Sequence, residues 1–301
     1  MYYIQTYMKK ILCTFASYPL SKGFDRYKKE AEAFGVFDEI YTYDENDLDK
    51  EFRKKYGRFL HPFSRGYGYW GWKPLIIKQT LEKMVEGDIL LYTDLGCILN
   101  VEGKPRLLEY FDITEESKSG ILCARTQDQT HAVRKELAFF EYQYNKGDIL
   151  DYFGVRDNKE YTHTRQFEAG IVFYRKGPVV EAFLKEWIEV VKNNFDFITD
   201  KPSKSPNLPG FIDNRHDQSV FSILAKKYNI AEFSRNELCP NEYDNYDWNV
   251  MKPYPIWAKR EVYYKSMWHY NHRFHLRKYY ETLWGIKYFF KSLLHPKTYH
   301  R

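Results

Sequence analysis

The chain has 301 residues, 44% hydrophobic and 29% charged, a balance that excludes a disordered polyampholyte and suits a packed globular protein. Its four cysteines, Cys13, Cys97, Cys123 and Cys239, are scattered without a C-x-x-C pair and read as reduced thiols rather than a disulfide framework or zinc site. The net charge of +5 is unevenly placed: positions 258–301 hold ten Lys and Arg against two Glu, which leaves the remainder at −3.

In chain order, Lys10 to Ser17 reads as a buried strand. Phe24, Tyr27, Ala31 and Phe34 then fall on one helical face, with Gly35 as the stop. Val36 to Tyr43 reads as a second strand, so the chain opens β-α-β and predicts an α/β fold with a mainly parallel sheet flanked by helices. Pro74 starts a further helix with Ile77, Leu81, Met84 and Val85 on one side and Gly87 at its end. Asp88 to Thr93 is a strand of buried type, and Gly120–Arg125 and Gly170–Arg175 are two more. Pro178 opens a helix striped with Val180, Phe183, Leu184, Trp187, Ile188 and Val191. A Pro-, Ser- and Asn-rich loop follows, and then a helix from Asp217 to Tyr228. No linker divides the chain before the basic segment, so the expected organisation is one domain over 1–257 and a basic, aromatic C-terminal helical segment over 258–301.

Five segments carry candidate chemistry. The strand Ile89-Leu-Leu-Tyr-Thr93 delivers Asp94 to its carboxyl end, where ligands bind in open α/β sheets. There Asp94 either holds a divalent cation that neutralises a diphosphate or only shapes the turn. The segment Arg65-Gly-Tyr-Gly-Tyr-Trp-Gly-Trp-Lys-Pro74 matches G-x-G-x-x-G literally, but it lies about fifty residues beyond the first strand, where that fingerprint belongs. It offers instead Arg65 and Lys73 as cations for phosphate oxygens, Lys73 at a helix start, and Trp70 as a sugar platform or a core ring. Gln166 and Glu168 alternate with Phe167 and would share one face of an extended segment. His216, Asp217 and Gln218 precede an apolar helix; they would touch a donor sugar, or Asp217 is an ordinary N-cap. His269 and His272 lie in Met267-Trp-His-Tyr-Asn-His-Arg273 and could complete a metal site.

Taken in this order and spacing, the segments resemble bacterial glycosyltransferases of the GT-A type, distantly similar to the family-8 galactosyl- and glucosyltransferases. The resemblance spans roughly residues 10 to 275. It implies the GT-A (nucleotide-diphospho-sugar transferase) fold and a uridine diphosphate (UDP) sugar donor, with Ala16 and Ser17 near the nucleotide and Lys73 near the donor phosphates. Asp94 then occupies the place of the D-x-D metal motif, and Gln166, Glu168, His216, Asp217 and Gln218 surround the transferred sugar. Asp94, Asp217 and Glu168 are the catalytic candidates. Because Gly96 replaces the second acid of D-x-D, the Mn²⁺ or Mg²⁺ cofactor implied by the family has Asp94 with His269 or His272 as its ligands here. The implied reaction moves a hexose to a hydroxyl of a cell-surface glycan of lipopolysaccharide, capsule or O-antigen type, and the family leans towards retention of configuration.

No apolar run reaches the length of a membrane span, and Ile11 to Ala16 is too short for a signal-peptide core. A cytoplasmic enzyme is therefore expected, with the basic, aromatic C-terminal segment either resting on an anionic membrane beside a lipid-linked acceptor or packing as an ordinary helix. No motif points to nucleic acid. A non-catalytic carbohydrate-binding protein and a sugar-nucleotide nucleotidyltransferase remain as alternatives.

Overall fold

The apolar run of each central strand alternates between two separate cores, because helices cover both faces of the sheet. In the computed structural model, which describes residues 7–126, 139–240, 247–259, 282–283 and 286, these strands are β1 (Lys10–Phe15), β2 (Glu39–Tyr43), β3 (Ile89–Thr93), β4 (Ile98–Leu99), β5 (Ile121–Arg125), β6 (Phe167–Arg175), β7 (Ala231–Ser234) and β8 (Ile256–Trp257). Six of them form one sheet in the order β2-β1-β3-β6-β5-β7, and β4 pairs with β8 in a small second sheet. β1 is parallel to β2 and β3, and β5 to β7, while β6 runs antiparallel to β3 and β5. The fold is therefore α/β with a mainly parallel central sheet, as the β-α-β opening predicts.

Ile11, Cys13 and Phe15 of β1 and Leu90 and Tyr92 of β3 face one core, over which the helices Lys73–Leu81, Pro178–Asn193 and Asp217–Lys227 pack. Leu12, Ile89 and Leu91 face the other core, with Tyr27, Ala31 and Phe34 of the helix Phe24–Phe34 and Leu107, Tyr110 and Phe111 of the helix Lys104–Glu116. Each fully buried large apolar side chain contributes about 1.5–3 kcal/mol. Gly35 ends the first helix at φ +56°, the left-handed position that a residue without Cβ adopts freely.

The structure corrects the sequence expectations in three places. The helix that holds Pro74 ends at Leu81, not at Gly87, so Met84 is buried from a turn and Val85 is exposed. β6 begins at Phe167 rather than Gly170. Asp217 is the first helical residue and not the cap; His216 holds the cap position and makes no side-chain cap bond. His269 and His272, with nearly all of the basic C-terminal segment, lie outside the described residues. No helix of the described residues is long and apolar enough to cross a membrane.

β6 is irregular where it passes Asp94. Cys123 of β5 pairs with Val172, yet Arg125 pairs with Phe167, where an unbroken antiparallel ladder would bring it opposite Gly170. Four residues of β6, Glu168 to Ile171, thus stand opposite the single Ala124 of β5, three more than an unbroken ladder holds, a bulge of the kind that re-aims side chains beside a site.

Candidate active site

Asp94 follows β3 directly. Its backbone N–H donates to Gly170 O (2.8 Å), which ties it to the bulge. Its carboxylate is 42% exposed, whereas the neighbouring Lys73 side chain is 3% exposed. The Tyr92 hydroxyl donates to Asp94 Oδ1 at 2.8 Å, and Lys73 Nζ lies 3.5 Å from the same oxygen. Among the described residues Oδ2 accepts no hydrogen bond. It faces Gly170, where even a Cβ would come within 3.0 Å of it.

Beneath Asp94, Lys73 Nζ makes an ion pair with Asp217 Oδ2 at 2.8 Å and donates to Ala169 O at 3.1 Å. The ammonium thus makes one hydrogen bond, to Ala169 O, and two ion pairs, to Asp217 and Asp94. Burial alone would lower the Lys73 value, but the Asp217 and Asp94 charges outweigh it and hold the group above its ordinary range. Burial pushes Asp217 up to about 6 even against the pull of Lys73, and the Asp94 charge adds to the rise. The three groups together carry one net negative charge when ionised. Lys73 is thus buried below the two carboxylates, with its ammonium directed at Asp217, Asp94 and Ala169 O.

The helix starting at Lys73 is delivered by an unusual backbone. Gly66, Tyr67, Gly68, Tyr69 and Trp70 all have positive φ, between 51° and 97°, a left-handed turn that costs L-residues about 1–2 kcal/mol each. The Trp70 ring covers Gly66 so closely that a Cβ there would lie 2.1 Å from the indole. Trp72 Nε1 donates to Gly66 O at 2.9 Å. Trp70 is partly buried, with its ring 5.5 Å from the His216 imidazole. Such strain persists only where surrounding contacts over-determine it.

Arg65 lies at the open end of this turn. It pairs with Asp200 at 2.9 Å and reaches His216 Nε2 at 3.1 Å. His216 Nδ1 lies 2.8 Å from Ile198 O, so Nδ1 carries the proton and Nε2 accepts from Arg65. Burial lowers the imidazole value, in keeping with this neutral tautomer. Ala16 and Ser17 are buried just past β1, with Ala16 N donating to Tyr43 O at 3.0 Å.

Gln166 and Glu168 take separate partners. Gln166 Nε2 donates to Glu141 Oε2 at 3.0 Å, and its Oε1 accepts from Gln218 Nε2 at 3.2 Å. Glu168, two residues on, pairs with Arg235 at the end of β7. Glu141 is fully buried and also accepts from Ser222, Lys226 and Asn145. It thereby fixes the Gln166 amide, and Gln166 in turn fixes Gln218. Glu141, Asp200 and Arg235 escaped the sequence reading, because no local pattern distinguishes them from surface charges. The bulge could have been suspected only from Gly170.

Among the described residues no group of three His, Cys, Asp or Glu side chains could hold a metal ion. The uncommitted Asp94 Oδ2 fits one oxygen position of a hard cation. A separate concavity of about 950 Å³, lined by Tyr56, Phe195, Lys192, Asp148 and Lys204 among others, shares none of the residues of this cluster.

No protein-family model matches the chain, and no curated protein matches it. Among solved structures it is similar to the apo form of mouse xyloside xylosyltransferase 1, at 10% identity over 83% of this chain and 97% of that one, with a TM-score of 0.42. It is also similar to a glycosyltransferase involved in glycosylation of the PBCV-1 major capsid, at 11% identity over 82% and 92% with a TM-score of 0.40. GlyE of Streptococcus pneumoniae TIGR4, a glycosyltransferase, aligns at 13% identity over 95% of this chain and 64% of its own, with a TM-score of 0.40.

Proposed function

We propose that the chain is a GT-A glycosyltransferase that moves a hexose from a UDP-sugar to a hydroxyl of a glycan acceptor. The observation that carries this reading is the buried Lys73 ammonium held between Asp217 and a half-exposed Asp94 at the carboxyl edge of the parallel strands, the edge where such sheets bind ligands. The order of motifs along the sequence supports it.

In the proposed reaction the bond from the anomeric carbon to the diphosphate oxygen breaks, and the acceptor oxygen bonds to that carbon. The hydroxyl proton leaves with the nucleoside diphosphate. Positive charge builds on the sugar ring meanwhile, and the net negative Asp94–Lys73–Asp217 group is suited to stabilise it. Lys73 keeps the two carboxylates in place against their mutual repulsion. The Glu141–Gln166–Gln218 chain presents a side-chain amide for a sugar hydroxyl. A divalent cation on Asp94 would supply charge to the departing diphosphate. The acceptor is read as a cell-surface glycan, and the segment 258–301 as a contact to the inner face of the membrane.

Nucleotide release from a panel of UDP-hexoses, with Mn²⁺ and a glycan acceptor, tests the reading. Asp94→Asn should lower turnover at least about a hundredfold while the melting temperature stays near that of the wild type, because the side chain is half exposed. Full turnover in this variant counts against the site. Saccharide binding without any nucleotide binding would favour a carbohydrate-binding protein, and pyrophosphate release from a nucleoside triphosphate and a sugar phosphate would favour a nucleotidyltransferase.

A further inference from the structure

Arg215 stands two residues before Asp217, and its backbone N–H donates to Ser219 Oγ at 2.9 Å. Its guanidinium lies over the rings of Phe139 (4.7 Å) and Tyr144 (4.9 Å). Among the described residues that guanidinium makes no hydrogen bond and no ion pair. Arg235 approaches the same Phe139 ring at 5.7 Å and forms the ion pair with Glu168. Glu168 and Asp213 act on Arg215 only through their charge, and among the described residues neither forms an ion pair with it. Burial, the largest cause, lowers the Arg215 value, and the Arg235 charge lowers it further.

We infer that Arg215, with Arg235 beside it, binds an anionic group carried by the saccharide, a carboxylate or a phosphoester; this rests on the glycosyltransferase reading above. The two rings are stacked on each other with centroids 5.3 Å apart, so both lie to one side of the guanidinium and accept no in-plane hydrogen bond from it; its N–H groups match carboxylate and phosphate oxygens two at a time. Position argues against the leaving diphosphate as the occupant. Arg235 follows β7, whose backbone lies three strand spacings from β3, roughly 14 Å along the sheet, and its guanidinium reaches back as far as Glu168 on β6. Ala16 and Ser17, where the sequence resemblance puts the nucleotide, lie on the opposite side of β3. The anion thus belongs to the transferred sugar or to the acceptor.

The test uses the full chain and ligand-observed NMR titrations with glucuronate, glucose 6-phosphate and glucose, alongside UDP, UDP-glucose and UDP-glucuronate. At least one anionic sugar should bind about tenfold tighter than glucose, and Arg215→Gln should erase that preference. A preference for UDP-glucuronate over UDP-glucose places the anion on the donor. Discrimination confined to the free sugars places it on the acceptor. Equal affinity for charged and neutral sugars in the wild type, or a preference that survives Arg215→Gln, overturns the inference. If Arg215→Gln does not fold, Arg215→Lys, which keeps the charge without the fork, should weaken the preference severalfold, and an unchanged preference overturns the inference equally. UDP is scored on its own: UDP binding without sugar discrimination sinks this inference alone, whereas absence of nucleotide binding sinks the transferase reading.

Discussion

Replacing Lys73 by methionine keeps most of the side-chain volume and removes the charge that joins Asp94 to Asp217. At an effective dielectric near 20, the buried ion pair at 2.8 Å is an attraction of about 6 kcal/mol, whereas water at the half-exposed Asp94 screens the pair at 3.5 Å to about 1 kcal/mol or less. Desolvation of the buried ammonium cancels several kcal/mol of this. The net loss at pH 8 should be about 3–5 kcal/mol, the usual cost of leaving one buried charge without its partner. At pH 5 the loss should be much smaller, because Asp217 can protonate. Its folded value of about 6 lies above its ordinary 3.8, so between those values the folded state binds more protons than the unfolded state. Stability from this group therefore falls as pH rises from about 4 to 6, by about 3 kcal/mol, and does not return above. Without Lys73 the Asp217 value climbs further, and the fall extends to higher pH. Urea unfolding of wild type and Lys73→Met at pH 5 and pH 8 measures the difference. Equal destabilisation at the two pH values, or a larger loss at pH 5, refutes the burial of ionised Asp217 against Lys73.

Two further perturbations address the supporting structure. Glu141→Gln offers one acceptor oxygen where four donors converge; it should cost about 3 kcal/mol by leaving Lys226 without a counter-charge and raise KM for the donor through Gln166 and Gln218. Thermal melts and donor kinetics check this, and an unchanged KM would separate Glu141 from the site. Gly66→Ala places a methyl group inside the Trp70 ring at φ +53° and should lower the melting temperature by roughly 5 °C. An unaltered melt would show that the left-handed turn relaxes freely.

Much of the scaffold was legible because its signals are local. The unbroken apolar run ending in Asp94 identifies a strand covered on both faces and its carboxyl end, and Gly35 marks a helix stop through backbone geometry alone. Val85 misled because helical spacing persists past the point where the backbone leaves the helix. The partners of the chemistry were not legible. Lys73 looks like a phosphate-facing cation at a helix start, and only the packing of its helix against β1, β3 and the helix Pro178–Asn193 buries it between two acids. His216 and Arg65 are 151 positions apart, and Glu141 and Lys226 are 85 apart.

The sequence by itself determined the strands and main helices, the mainly parallel sheet, and the delivery of one acid to its ligand-binding edge, since hydrophobic periodicity and turn chemistry act over a few residues. The tertiary structure alone decided which charges meet, where β6 bulges, and which guanidinium makes no ion pair among the described residues. Those facts follow from the strand order β2-β1-β3-β6-β5-β7, which brings distant segments together and sets the desolvation that each charge must meet.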